Sequence, residues 1–264
     1  MDARPADAGS PCLELDLTDP HANDARIALV TGASRGIGRA TAISLAGRGA
    51  HIVALARTVG GLEELDDEIK KAGSSATLVP LDLRDFDALD RLGASLHERF
   101  KKLDILVGNA GQLGALSPLG HLDPKVWDEV FAVNVTANWR LIRSLDPLLR
   151  ASDAGRAVFV TSGITYHARA YWGLYAASKA ALEMLVRVYA EETAKTNVKV
   201  NLFNPGPIRT RMRAKAMPGE DPMTLDTPEQ AAEAITPLCL PSCEKTGMIF
   251  NYPNRKFLAF NAPA

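Results

Sequence analysis

The sequence predicts an α/β fold: a single domain built on a doubly wound parallel sheet with helices on both faces. Three observations carry this. Short apolar runs recur along the chain and alternate with stretches of helical period, the pattern of repeated β-α units. A glycine-rich turn joins the first apolar run to the first helical stretch. The polar residues best suited to bind or react fall just beyond the ends of apolar runs, where ligands sit in such sheets.

Taken in order, residues 1–25 carry six acids (Asp2, Asp7, Glu14, Asp16, Asp19, Asp24) and one base, Arg4, with Pro5, Gly9, Pro11 and Pro20 interrupting any regular element. The composition predicts a mobile leader, solvated or used for docking. The domain itself is expected over 26–264. It opens with the apolar run Arg26–Thr31, a buried strand. Gly32-Ala33-Ser34-Arg35-Gly36-Ile37-Gly38 follows and leads into the helical pattern Ala42, Ile43, Leu45, Ala46. Strand, glycine turn and helix are the parts of a phosphate cradle: glycines allow a tight turn and close approach, and a helix N-terminus offers free N–H groups. The spacing is GxxxGxG, without the Lys-Ser or Lys-Thr of a triphosphate loop. A turn needed only for packing is the alternative.

The second strand, His51–Ala56, ends at Arg57 with no Asp or Glu. An acid there binds the ribose 2′-OH of NAD, whereas arginine suits the 2′-phosphate of NADP. Arg57 and Arg35 therefore favour NADP over NAD, the alternative being two solvated surface arginines. Beyond it the pattern predicts helices over 62–72, 88–100, 126–149, 174–194 and 228–238. Strands are expected over 76–82, 103–107, 156–161 and 198–203 and near Met248-Ile249-Phe250. Leu174–Ala194 opens with Tyr175-Ala176-Ala177-Ser178-Lys179. Residues four apart share a helix face, so the Tyr175 phenol and Lys179 ammonium can share a pocket. A fixed cation favours the phenolate and lowers a pKa that is otherwise about 10. An ordinary amphipathic helix explains the five residues equally well in isolation.

Composition bounds the rest. With 47% hydrophobic and 23% charged residues and a net charge of −1, no basic field recruits nucleic acid or anionic membrane. No run approaches the roughly 20 apolar residues of a membrane span, and the N-terminus has no signal-peptide core. Cys12, Cys239 and Cys243 lack paired spacing, and the five histidines (His21, His51, His97, His121, His167) lack ligand spacing. Neither a disulfide framework nor a metal site is expected, and a reducing, cytoplasmic setting is the simplest.

Several of these stretches together, in this order, resemble the short-chain dehydrogenase/reductase family in its compact single-domain branch, a Rossmann fold. The resemblance covers roughly 26–252 and rests on Thr31 through Gly38, Asp82-Leu83, Asn109-Ala110-Gly111, Asn134, Ser162, Tyr175 with Lys179, and Asn204-Pro205-Gly206. It implies an NADP-dependent oxidoreductase that interconverts a small-molecule carbonyl and a secondary alcohol, working as a reductase. Tyr175 is implied as general acid or base. Lys179 would lower its pKa and bind the nicotinamide ribose. Ser162 would hydrogen-bond the substrate oxygen, and Asn134 would hold a water linking Lys179 to solvent. Gly32, Ser34, Arg35, Gly36, Ile37 and Gly38 would bind the pyrophosphate, with Arg57 at the 2′-phosphate. Asp82 and Leu83 would meet the adenine, and Asn109, Ala110 and Gly111 would line the cleft. Ile208 and Thr210 would hold the carboxamide after Pro205 and Gly206.

The family's mobile substrate lid would be residues 207–226, where Arg209, Arg211, Arg213 and Lys215 attract an anionic substrate or the 2′-phosphate, or form a solvated loop. Tyr166, His167, Tyr171 and Trp172 form a pocket wall, core packing or a subunit contact. A homodimer or homotetramer through the helices starting near Val126 and Leu174 is implied. A 3-oxoacyl-carrier-protein reductase is a nearer alternative, and a non-enzymatic dinucleotide-binding regulator a remote one. Two departures stand out. Gly108 replaces the second Asn of many relatives, with little consequence expected, and Tyr252-Pro253-Asn254-Arg255 lacks the common Gly-Gly after the last strand.

Overall fold

The apolar runs pair into one eight-stranded sheet in a computed structural model that describes residues 25–260. The proposed leader lies outside the described residues except for Ala25, as do residues 261–264. The strands are β1 (Ile27–Thr31), β2 (His51–Ala56), β3 (Ala76–Pro80), β4 (Ile105–Gly108), β5 (Arg156–Val160), β6 (Lys199–Asn204), β7 (Ile249–Asn251) and β8 (Lys256–Leu258). Their order across the sheet is β3-β2-β1-β4-β5-β6-β7-β8. All neighbours are parallel except β7 and β8.

Side chains alternate between the two faces of a strand, and both faces are buried. Leu29, Leu106, Phe159 and Leu202 point into one core cluster. Their neighbours Val30, Val107, Val158 and Phe203 point into the other. Helices α1 (Gly36–Ala46), α2 (Val59–Lys71) and α8 (Pro228–Ile235) contribute Leu45, Leu65 and Ile235 to the second cluster. Helices α3 (Phe86–Phe100), α5 (Ala137–Ala151) and α6 (Gly173–Glu192) contribute Leu92, Leu141 and Leu182 to the first. Buried on both sides, the strands read as continuous apolar runs rather than alternating ones.

Three elements differ from expectation. The sheet is not wholly parallel, because β8 returns antiparallel to β7 after a tight turn in which Arg255 adopts φ 55°. A three-residue strand is too short to show a period, so the sequence hides it. The helix expected over 126–149 is broken into α4 (Pro124–Phe131) and α5 by a π-helical turn over Ala132–Thr136. Single π turns inside α-helices are frequent at functional sites, and this one carries Asn134. The third is α7 (Arg211–Ala216), a short helix inside the segment expected as a lid.

Gly108 also matters more than its motif position suggests. It pairs with Phe159 across β4 and β5. A Cβ at position 108 would collide with the Phe159 ring and come within 2.9 Å of Asn138 Oδ1. Phe159 and Asn138 occupy the room that a second Asn would need. Gly108→Ala is therefore expected to destabilise the protein by about 1–3 kcal/mol through overpacking. In urea unfolding, Phe159→Leu in the same chain should recover part of the loss, a positive coupling between neighbours.

Candidate active site

Consecutive strands run outward from β1 to β3, after which the chain crosses to β4 on the other side of β1. This reversal opens a crevice at the carboxyl ends of β1 and β4. Thr31 closes its floor: its Oγ1 accepts the backbone N–H of Asn109 and of Ala110, each at 3.0 Å. Asn109 Nδ2 donates back to the Thr31 carbonyl at 2.9 Å. A cleft of ≈ 1160 Å³ extends from here.

The glycine turn forms one wall. Gly32 and Gly36 take φ of 66° and 58°, a region that favours glycine. A Cβ on Gly38 would collide with Asn109 Nδ2 and the Gly32 carbonyl, so α1 starts as close to β4 as backbone allows. Arg35 is the N-cap of α1 and makes no side-chain cap hydrogen bond, which leaves the first N–H groups of the helix for whatever enters the cleft. Ser34, Arg35, Gly36 and Ile37 all line it.

At the far end sits Arg57, with 53% of its side chain exposed and its Nη1 3.9 Å from Asp82 Oδ2. Asp82 is more heavily engaged than the resemblance implies. Arg84 donates to it from Nη2 at 2.8 Å, from Nε at 3.2 Å and from its backbone N–H at 3.0 Å. The Arg84 hydrogen bonds hold the Asp82 carboxyl below its usual range, and Arg57 adds to the effect. Asp82 is thus an anionic seat between two guanidinium groups. Leu83 is buried beside it and lines the cleft.

The opposite wall carries Ser162, Tyr175 and Lys179. Ser162 lies just past β5, Tyr175 in the first turn of α6, and Lys179 one turn on. Tyr175 is 8% exposed and meets Trp172 edge-on, with ring centroids 6.3 Å apart. The Lys179 ammonium donates to the Val160 carbonyl at 2.8 Å and lies 5.9 Å from the Tyr175 ring centre. Burial pushes the Tyr175 phenol up to about 12, opposed by a hydrogen bond with Ser162. Burial pushes Lys179 down to about 8, opposed by the charge of Glu183. The expected lowering of the phenol's pKa by Lys179 is therefore not met in the protein's own field. Desolvation acts on both groups, and the ammonium is spent on a carbonyl rather than placed at the phenol oxygen. A buried, protonated phenol beside a hydroxyl can give a proton to an oxygen that enters between them.

Asn134 is fully buried in the π turn. Its Oδ1 accepts the Gln112 N–H at 2.8 Å, and its Nδ2 donates to the Gln112 carbonyl and to Ser178 Oγ, each at 2.9 Å. Its backbone carbonyl accepts from Asn138 Nδ2 at 2.9 Å. A Cβ on Gly111 would touch both Asn134 Oδ1 and Lys179 Nζ, at 3.4 and 3.5 Å, so the three residues meet at one point.

The segment after β6 covers the glycine turn. Gly206, with φ 65°, turns the chain against Pro253. Ile208 is buried and bridges Asp226, and Tyr252 fixes Asp226 by a 2.9 Å hydrogen bond. Thr210 Oγ1 accepts the Arg213 N–H as the N-cap of α7, while its methyl lies 3.6 Å from where a Gly36 Cβ would be. Of the four basic residues expected to draw an anion, two are committed. Arg209 donates to the Leu225 carbonyl at 3.2 Å and Arg213 pairs with Glu220 at 2.5 Å. All four, Arg211 and Lys215 included, nevertheless line the cleft. Of the four aromatic residues, only Trp172 lines it, while Tyr166 and Tyr171 are exposed. Sequence reasoning missed Leu113, Met212 and Ala216, which with Ile164, Trp172 and Met217 form an apolar patch around Tyr175, separate from the core. It also missed the Val160 carbonyl and Glu183. A glutamate one helical turn beyond Lys179 was the only available signal for the latter. Among the described residues no His, Cys, Asp and Glu cluster could hold a metal, and no helix is long and apolar enough to cross a membrane.

Comparison with known proteins gives a consistent result. Residues 26–221 match the family model for short chain dehydrogenase. The chain is 41% identical over 240 residues to the oxidoreductase YciK of Escherichia coli K12, covering 88% of this chain and 93% of that one. A crystal structure of a short chain dehydrogenase from Escherichia coli CFT073, complexed with NADPH, superposes with a TM-score of 0.82 at 40% identity, covering 87% and 97% of the two chains. Another from Shigella flexneri 2a, complexed with NADP, gives 0.81 at 39% identity, covering 88% and 98%.

The buried ammonium has a measurable signature. Its folded pKa is below the unfolded 10.5, so burying the charge costs stability below about pH 8, and the cost fades as pH rises to 10.5. Lys179→Met should raise the unfolding free energy at pH 7 by about 2–3 kcal/mol. The gap to wild type should close as chemical denaturation is repeated toward pH 10.5.

Proposed function

The chain belongs to the short-chain dehydrogenase family, and from that premise we propose that it is an NADP-dependent oxidoreductase that reduces a small-molecule carbonyl to a secondary alcohol, with Tyr175 as general acid. The observation that carries the reading is the wall of Ser162, Tyr175 and Lys179 facing a cleft that begins at a glycine turn and ends at Arg57.

The residues present fit the cofactor. The uncapped N-terminus of α1 and the Cβ-free approach at Gly38 accommodate a pyrophosphate, held by Gly32, Ser34, Arg35, Gly36, Ile37 and Gly38. Arg57, steadied by Asp82, and Arg35 take the 2′-phosphate. Asp82 and Leu83 border the adenine, Asn109, Ala110 and Gly111 line the middle of the cleft, and Pro205, Gly206, Ile208 and Thr210 border the carboxamide. The chemistry the cofactor supplies when bound is hydride transfer.

What the chain supplies is position and protons. Ser162 Oγ holds the carbonyl oxygen, and the Tyr175 phenol, whose pKa burial raises further above neutrality, donates to it. Lys179, anchored by the Val160 carbonyl, presents its charge to the ribose and to the phenolate that donation leaves. Asn134, which shares the Gly111 corner with Lys179, holds the water that returns the proton. The apolar patch of Leu113, Trp172, Met212 and Ala216 excludes water from this corner. Residues 207–226 act as the lid.

We read the setting as cytoplasmic, since Cys239 and Cys243 are unpaired. Trp139 on α5 and Met184 and Val188 on α6 are large exposed apolar residues. They support a homodimer or homotetramer formed through these helices.

Tyr175→Phe should lower NADPH-dependent turnover by about 10²–10⁴-fold with NADPH affinity preserved. The assay is NADPH consumption over ketones, aldehydes, quinones, steroids and 3-oxoacyl thioesters, and unchanged turnover would sink the assignment. Arg57→Ala should weaken NADPH binding about 10–100-fold, the worth of a charge-assisted phosphate contact, and leave NADH binding alone. Equal wild-type affinities for the two cofactors would defeat the NADP reading.

A further inference from the structure

One buried titratable side chain near the site has no part in the reading above. Glu183 lies one helical turn beyond Lys179 on α6 and is 8% exposed. Its Oε1 accepts the Thr161 hydroxyl at 2.6 Å and the Thr165 hydroxyl at 2.9 Å. These threonines bracket Ser162: Thr161 follows β5 directly, and Thr165 ends the 3₁₀ turn Gly163–Thr165. The Thr165 hydroxyl is also 3.0 Å from the Ser162 carbonyl. One turn earlier, Lys179 holds the Val160 carbonyl. Helix α6 thus grips the segment 160–165 at two successive turns, and Ser162 hangs between the grips.

We propose that Glu183 is a positioning residue: by accepting the Thr161 and Thr165 hydroxyls, it fastens the Ser162 turn to the helix that carries Tyr175. The proposal rests on the roles given above to Ser162 and Tyr175. A buried carboxyl is a costly way to fill space, and an apolar side chain would serve packing as well or better. Its value here is geometric, since a proton donor and the hydroxyl that steadies its target come from two different elements. Misplacement by about 1 Å can cost on the order of 10²-fold in rate, and supporting hydrogen bonds prevent that drift. The groups facing Glu183 fit the role. Burial raises its pKa, the two threonine hydroxyls pull it down, and Lys179 and Arg187 on the same helix add attraction. The Tyr166 phenol, from the turn itself and still partly exposed, is pushed up to about 12 by partial desolvation and by the charge of Glu183.

The test compares wild type with Glu183→Gln, Glu183→Ala and Thr165→Val. Gln keeps an oxygen acceptor, Ala removes it, and Val removes one donor without touching α6. Each variant is assayed for NADPH affinity, for kcat and KM with phenanthrenequinone as the carbonyl probe, and for amide hydrogen exchange across 162–166. Glu183→Gln is expected within about threefold of wild-type kcat. Glu183→Ala is expected to lose about 10–100-fold in kcat with NADPH affinity within about twofold, and Thr165→Val to fall between. Exchange across 162–166 should quicken in Glu183→Ala and Thr165→Val but not in Glu183→Gln. The proposal is overturned if Glu183→Ala exchanges there at the wild-type rate, or keeps its kcat while losing only thermal stability. It is equally overturned if Gln is as damaging as Ala. Should wild type fail to reduce the probe, that failure counts against the probe or the proposed function, and the exchange comparison alone decides the fastening.

Discussion

Everything in the site is hung from the point where the sheet reverses direction. A β-α-β path leads away from β1 to β3, and the next unit starts on the other side of β1. The loops after β1 and β4 therefore diverge, and their backbone groups lose their sheet partners together. Thr31 supplies replacements, accepting two N–H groups from the start of the β4 loop while Asn109 returns a bond to the Thr31 carbonyl. Buried backbone groups need partners, so this knot holds the cleft open as a cleft rather than a frayed end. It also brings Asn109 Nδ2 within reach of the glycine turn, which is why positions 32 and 38 have no room for side chains.

The second constraint is electrostatic. Placing Tyr175 and Lys179 on one buried wall moves both pKa values toward the neutral forms. The chain compensates with backbone and side-chain groups rather than with a tight phenol–ammonium contact. Val160 gives a carbonyl to the cation, Ser162 a hydrogen bond to the phenol, and Glu183 a negative charge one turn away. Each compensating group comes from the end of β5, the turn after it or α6 itself. The neighbourhood of one strand end and one helix start thus sets the charge state of the site.

Much of this was legible in the sequence, for identifiable reasons. Strands buried on both faces read as continuous apolar runs, and β1, β2, β5 and β6 lie within a residue or so of expectation. The glycine turn, Asn109, Ser162, Tyr175 and Lys179, which the family resemblance singled out, line one cleft. What was hidden depends on contacts between segments distant in sequence. The π turn is local in the chain, but Asn134 is held through Gln112 and Ser178, 22 and 44 residues away. The Arg84 hold on Asp82 and the Glu220 hold on Arg213 are likewise invisible in motif spacing. Gly108 looked like a neutral departure because Phe159, its partner, sits on another strand.

The pKa directions also bear on which way the proposed reaction runs most easily. If the phenolate forms, the Lys179 ammonium, 5.9 Å from the ring centre, attracts it. Burial works against that attraction and moves the phenol further toward its protonated form. A general acid must hold its proton before the carbonyl arrives, whereas a general base must already have lost it. The direction in which burial moves the phenol agrees with the proposed acid role. The reductive sense then asks only that Tyr175 give up a proton to an oxygen that is gaining charge, with the ammonium in place to stabilise the phenolate left behind. Alcohol oxidation would have to start from that phenolate, the state that desolvation penalises. Burial and the ammonium thus act on the Tyr175 proton in opposite senses, and the proposed acid role leans on the first.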